Sequence, residues 1–204
     1  ICPSHMSTSS NLINKAVDQL SKFPGVGQKS ALRMALFLLK KEEIDTVELS
    51  RALITMRTEI KFCKQCYNIS DAELCNVCKS PSKDQSVVCV VKDFQDVLAV
   101  ENTGQYNGLF HVLGGLVSPV DGIGPSDIKI PELLSRVEKG EIKEAILALS
   151  STLEGDTTEF YIAKKLRALG IKVSTLSKGI AVGGELEYAD EMTLARSIRN
   201  RVNL

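Results

Sequence analysis

Four of the six cysteines in this 204-residue chain fall within sixteen residues. Cys63, Cys66, Cys75 and Cys78 form two Cys-x-x-Cys pairs with eight residues between them. Such a set supports thiol redox chemistry, disulfide bonding or metal binding. A redox pair works singly, at the start of a helix in a thioredoxin-like setting; here two pairs sit close together in a polar stretch. Disulfides belong to oxidising compartments, and the chain shows no n-region, h-region and cleavage site of a secretory leader. Two residues between cysteines let a tight turn aim both sulfurs at one point. Two such turns build a tetrahedron of thiolates, which suits zinc. The spacing predicts one structural Zn2+ per chain, closed by four protein ligands and leaving no open position for catalysis. Between Met56 and Ser80 there are few large apolar residues, too few for a segment of that length to fold unaided. Zinc, worth roughly 10–16 kcal/mol in isolated finger peptides, replaces that core. Cys89, inside "SVVCVV", reads as a small buried core residue.

A second stretch, "FPGVGQKSALR", runs from Phe23 to Arg33. Pro24 opens a turn, Gly25 and Gly27 flank Val26, and Lys29 and Arg33 lie four apart on one helix face. Glycines here let backbone N–H groups face outward at the N-terminus of the next helix. With the positive end of the helix dipole, those donors make a phosphate-binding geometry. A plain αα turn with solvated cations has the same spacing. A P-loop does not fit, because the stretch lacks the Gly-Lys-Ser/Thr core and follows no strand. The stretch resembles the helix-hairpin-helix, a sequence-independent reader of the DNA backbone. By that resemblance Gly25, Gly27, Lys29 and Arg33 are the DNA-contacting positions. So small a contact binds at around 10⁻⁴ to 10⁻⁶ M at physiological salt. Linked copies raise avidity by roughly 10² to 10⁴, so an oligomer is expected.

The third set is notable for what is missing. The C-terminal half resembles a Toprim domain, whose active members hold a metal with a Glu after the first strand and an Asp-x-Asp after a later one. The matching positions here are Lys92, Ser150 and Thr152, and only Glu154, Gly155 and Asp156 keep the acidic-glycine end of the motif. A magnesium site needs convergent carboxylate oxygens, which an ammonium and two hydroxyls do not supply. Glu154 and Asp156 read either as a partner-facing acidic patch or as a helix cap beside a solvated carboxylate.

The elements that must position these groups follow from periodicity. Residues 11–22 show an amphipathic helical pattern through Ile13, Val17 and Leu20. Leu32, Ala35, Leu36 and Leu39 mark a second helix, and Leu49, Leu53, Met56 and Ile60 one face of a third. After the cysteines, short β-branched runs alternate with helical patterns: "SVVCVV", "DFQDVLAVENTG" ended by Gly104, "LFHVLGG", a Gly/Pro-rich loop, a helix at 131–139, "EAILALS", "DTTEFYIAKKLRALG" and "IKVSTL". That alternation predicts an α/β sheet, mainly parallel. Asp156 and Glu159 suggest a capping box on the helix they begin. The tail ends in a helix with Leu194, Ile198 and Val202 on one side. The fold class is α+β in several parts: residues 1–5, "ICPSH" with Cys2, read as a vector remnant; 6–55 form the helix-hairpin-helix; 56–80 the four-cysteine zinc module; 81–176 the Toprim-like domain; 177–204 the tail.

Charge adds little. Lys plus Arg and Asp plus Glu each number 25, so the net charge is zero, which argues against a wholesale nucleic-acid coat. Residues 11–80 carry 11 basic and 8 acidic residues and residues 81–204 carry 14 and 17, so a polyanion should prefer the N-terminal part. No apolar run is long enough to span a membrane.

Hairpin, four-cysteine module, degenerate Toprim and a "GGELEYAD" tail, in that order, resemble the RecR family of bacterial recombination mediators. "HVLGGLVSPVDGIGPSDI" and "GGELEYADEMTLARSI" are characteristic of it, and the resemblance covers about residues 10–203. It implies a ring-shaped tetramer that clamps DNA. It also implies action with RecO and RecF, which helps RecA displace single-strand-binding protein at gaps during recombinational repair. The setting would be cytoplasmic and nucleoid-associated. Members lack catalysis of their own. The tail of the family has been likened to a Walker B motif, here Glu185, Glu187 and Asp190, but no Walker A accompanies it. The alternatives are a Toprim-type metal-dependent nuclease or primase-like enzyme, and a zinc-dependent adaptor that never touches DNA.

Overall fold

A computed structural model describes residues 8–180 and 183–201. The expected vector remnant at 1–5, and Val202 of the last helix, lie outside the described residues. The chain divides into two units, Ile1–Ile60 and Lys61–Leu204.

The first unit is helical: α1 (Asn11–Leu20), α2 (Gln28–Leu38) and α3 (Glu43–Glu59). Ser10 caps α1, its hydroxyl accepting from the Ile13 N–H. Val17 meets Ala31 and Ala35, all buried, with Ile13, Leu20, Val26 and Leu32 packed around them. Of the stripe expected on α2, Leu36 and Leu39 are exposed instead. Helix α3 forms as its periodicity predicts, yet buries no residue; Leu49, Leu53 and Met56 are all exposed. Periodicity identifies an apolar face and is silent on whether its cover lies in the same chain.

In the second unit, β1 (Lys61–Phe62) and β2 (Ile69–Ser70) pair antiparallel, and a single turn of helix, α4 (Asn76–Lys79), follows. Then come β3 (Asp84–Val91), α5 (Phe94–Asn102), β4 (Gly108–Val112), α6 (Ile130–Glu138), β5 (Glu144–Ala148), α7 (Leu153–Ala168) and β6 (Lys172–Thr175). The four longer strands form one parallel sheet in the order β4-β3-β5-β6. Strand β3 lies inside the sheet and its apolar half is buried on both faces, which is why it reads as a continuous Val/Cys run rather than an alternation. Its successive residues still face opposite sides. Val88 and Val90 join Leu113, Ile130, Leu133, Leu147, Ile162 and Leu166 in the larger core. Cys89 and Val91 join Val97, Phe110 and Val112 in the smaller one, so Cys89 is the buried core residue expected.

The tail carries a 3₁₀ turn (Leu186–Tyr188) and α8 (Glu191–Arg199). Asp190 caps α8, accepting from the Thr193 N–H. Leu194 is half-buried and Ile198 exposed. No helix among the described residues is long and apolar enough to cross a membrane.

Helix α7 begins at Leu153, three residues before Asp156, and Thr152 is its cap, accepting from the Gly155 N–H at 3.1 Å. The capping box expected from Asp156 and Glu159 therefore does not form. Glycine is a poor helix former, so propensity puts the helix start after Gly155. Packing overrides that propensity: a Cβ on Gly155 would run into the Ser150 carbonyl.

Candidate metal centre and nucleic-acid interface

The Sγ atoms of Cys63, Cys66, Cys75 and Cys78 all lie within 4.8 Å of one another. Cys66 and Cys75 sulfurs are 3.5 Å apart, close to the ~3.8 Å edge of a tetrahedron with ~2.3 Å zinc–sulfur bonds. Cys63, Cys66 and Cys75 are buried. The Cys75 N–H points at the Cys63 sulfur (3.4 Å) and the Cys78 N–H at the Cys75 sulfur (3.5 Å), so backbone donors already favour thiolates. Cys75 is drawn strongly toward thiolate by the Cys66 thiol donating to it, and Cys66 is driven correspondingly up. The donor set fits one structural zinc, whose binding discharges the remaining thiol protons. The metal supplies folding energy here, with all four positions taken by protein.

Sequence reasoning missed what the clamp is fastened to. The Val112 N–H of β4 donates to the Cys66 carbonyl at 2.8 Å, so the first knuckle covers the exposed edge of the parallel sheet. Arg136 of α6 donates to the Phe110 carbonyl at 2.7 Å. Tyr67, directly after the knuckle, has φ +62°, a conformation that costs a non-glycine residue about 1 kcal/mol or more. Its ring offsets that cost by packing edge-on against His111 and under the Lys129 ammonium. His111 is fully buried and is held neutral, its pKa pushed down to about 4 by desolvation. Its Nε2–H donates to the Lys129 carbonyl at 2.7 Å. No spacing rule links this knuckle to β4, since the bond joins residues 46 positions apart.

In the first unit, the turn between α1 and α2 places Gly25 at φ +78°, where only glycine is unstrained. Gly27 is the N-cap of α2 and gives it no side-chain cap. Its φ is −81°, accessible to any residue, and a Cβ there would meet nothing within 4 Å. Nothing among the described residues demands glycine at 27. Lys29 and Arg33 are exposed one turn apart and form no ion pair among the described residues. Gly27 differs in a testable way from Gly155. Gly155→Ala is expected to lower stability by about 1–3 kcal/mol by overpacking, and Gly27→Ala to stay within about 1 kcal/mol; thermal denaturation of the two variants measures both.

At the degenerate Toprim positions, the Ser150 and Thr152 hydroxyls lie 3.3 Å apart, and Lys92 is exposed with only a distant approach to Asp93, 3.9 Å. Among the described residues the four cysteines are the only group arranged to hold a metal. Asp156 is engaged from within the chain. Lys178 donates to Asp156 at 2.9 Å and to Glu159 at 3.0 Å, and Arg196 donates to Asp156 at 2.8 Å. Lys178 first, then Arg196, holds the Asp156 carboxyl below its ordinary range. Burial pulls Lys178 down, but its bonds to Asp156 and Glu159 outweigh that and its pKa is raised. Glu154 is half-buried and has no ion pair among the described residues. No spacing rule links Asp156 to Lys178 and Arg196, which the tail brings back from 22 and 40 residues away.

Comparison with known proteins agrees with this layout. Four family models match: the RecR helix-hairpin-helix at residues 13–57, the RecR four-cysteine zinc finger domain at 60–80, the Toprim domain at 86–177 and the RecR C-terminal segment at 179–202. Among curated relatives, the "Recombination protein RecR" of Bacteroides thetaiotaomicron is 55% identical over 190 residues, 93% of each chain. That of Porphyromonas gingivalis strain W83 is 52% identical over 195 residues, 96% of this chain and 94% of its own. That of Flavobacterium johnsoniae is 52% identical over 197 residues, 97% and 96% respectively. With a hairpin, a zinc clamp and a Toprim fold in the same order and half of all residues shared along nearly the whole length, this chain belongs to the RecR family of recombination proteins.

Proposed function

We propose that this protein is a non-enzymatic, DNA-binding recombination mediator: an oligomeric clamp that acts with RecO- and RecF-type proteins to help load RecA at single-strand gaps, in the cytoplasm at the nucleoid. The observation that carries the reading is the glycine elbow. Gly27 opens α2 with no side chain over the first N–H groups, has open space where a Cβ would stand and lies beside two cations without ion pairs among the described residues. A phosphate can approach such a backbone closely. Gly25, Gly27, Lys29 and Arg33 are the DNA contacts.

The exposed apolar residues of α2 and α3 support a homo-oligomer, proposed as a tetramer, because contiguous apolar faces mark interaction sites. The segments 6–55, 56–80, 81–176 and 177–204 serve as DNA reader, fastener, platform and tail. Glu154, with no ion pair among the described residues, is the partner-facing acid; Asp156 is bound to the tail. Lys92, Ser150 and Thr152 in place of carboxylates support the absence of strand chemistry.

The test uses purified protein, RecO and gapped DNA coated with single-strand-binding protein, in magnesium buffer, scoring RecA loading and strand scission together. Loading stimulated severalfold without scission is expected. Failure to stimulate, or scission by clean protein as a Toprim nuclease would give, overturns the reading.

A further inference from the structure

A cleft of about 660 Å³ opens between the start of α7, the segment after β6 and the end of α8. Its walls carry four cations, Lys178, Arg196, Arg199 and Arg201, against two carboxylates, Asp156 and Glu159. The carboxylates are engaged in orienting Lys178 and Arg196, whose side chains are only 21% and 30% exposed. A guanidinium has five N–H donors, and Arg196 spends one of them on Asp156. Arg199 and Arg201 form no ion pair among the described residues, and Arg201 is steadied by donating to the Ile198 carbonyl at 3.2 Å. Among the described residues the cleft therefore holds two more positive side chains than negative ones, in a half of the sequence whose acidic residues outnumber its basic ones.

We propose that this cleft is a second phosphate-backbone site. It deepens the DNA-binding reading and rests on it. Arginine forks match the oxygens of a phosphodiester, and cations already held in place by carboxylates, as Lys178 and Arg196 are, lose less freedom on binding than free side chains. No aromatic side chain among the described residues lines the cleft, so it has no platform on which to stack bases. Binding there tracks the sugar-phosphate chain without regard to sequence. It also relieves a weakness of the hairpin, which offers only two cations.

The test is a salt titration of duplex-oligonucleotide binding by the full-length protein. The Arg199→Gln/Arg201→Gln variant should bind about tenfold more weakly at moderate salt, and its slope of log K against log salt should fall by about 1.8, two phosphate contacts at about 0.9 each. Arg199→Lys/Arg201→Lys, which keeps both charges, should recover most of the slope. The same loss should appear in a Lys29→Ala/Arg33→Ala background. If the Gln variant titrates like the parent while the hairpin variant is weakened, this proposal fails and the hairpin reading stands. If the tail variant alone weakens binding, the hairpin reading fails and this one stands; if neither does, both fall. A Lys variant as weak as the Gln variant also overturns the site, since the loss is then not one of charge. Hydrogen exchange on the unmodified protein reads the cleft without substitution. Duplex should slow exchange at residues 177–180 and 196–201. No protection overturns the proposal, as does protection by a polyglutamate peptide but not by duplex, which would assign the cleft to an acidic protein.

Discussion

Cys63→Ser should release the zinc and unseat the edge of the parallel sheet. Serine cannot supply the fourth thiolate, and a three-sulfur site loses much of the roughly 10–16 kcal/mol that a structural zinc brings. The damage does not stay within residues 56–80. The Cys66 carbonyl accepts from the Val112 N–H, and Tyr67 keeps its positive φ only while its ring is packed against His111 and Lys129. When the knuckle relaxes, a buried N–H on β4 loses its partner, a cost of about 1–3 kcal/mol. An uncovered parallel edge also becomes a template for aggregation. The expected result is near-zero zinc by elemental analysis, a thermal midpoint lower by several degrees and light scattering on heating. Chelator treatment of the unmodified protein should reproduce it. A variant that retains one zinc per chain and the parent's midpoint contradicts the assignment.

Lys29→Ala/Arg33→Ala should do the opposite, leaving stability alone and removing function. Both side chains are exposed and without ion pairs among the described residues, so stability should change by about 0.5 kcal/mol or less. Two lost phosphate contacts should cut the salt slope by about 1.8 and affinity by about tenfold or more at moderate salt. In an oligomer each subunit loses its contacts at once, so the deficit multiplies through avidity. Fluorescence anisotropy with labelled duplex across a salt series checks both numbers. Parent-like affinity with a parent-like slope would show that the hairpin is an ordinary αα turn.

These results divide according to what each feature depends on. The zinc ligands were legible because a metal reads local geometry. Cys-x-x-Cys fixes where two sulfurs point, whatever surrounds them. The sheet was legible for a related reason: the second half of β3 is buried on both faces, and such a strand reads as a continuous apolar run. The start of α7 was not, because Gly155 is in the helix to let it approach Ser150, a contact no propensity scale contains. The apolar face of α3 was visible, but its exposure was not.

By itself the sequence determined the four cysteines that can hold a metal and the alternation of strand and helix. Each depends on residue type at short spacing, where chain connectivity alone sets the geometry. Tertiary structure alone decided that the zinc knuckle bonds to β4, that Asp156 answers to Lys178 and Arg196, and that Arg199 and Arg201, without ion pairs among the described residues, line a charged cleft. The hydrogen bonds that fix these arrangements join residues 22 to 46 positions apart. At such separations the chain permits many partners, and packing of the core selects one.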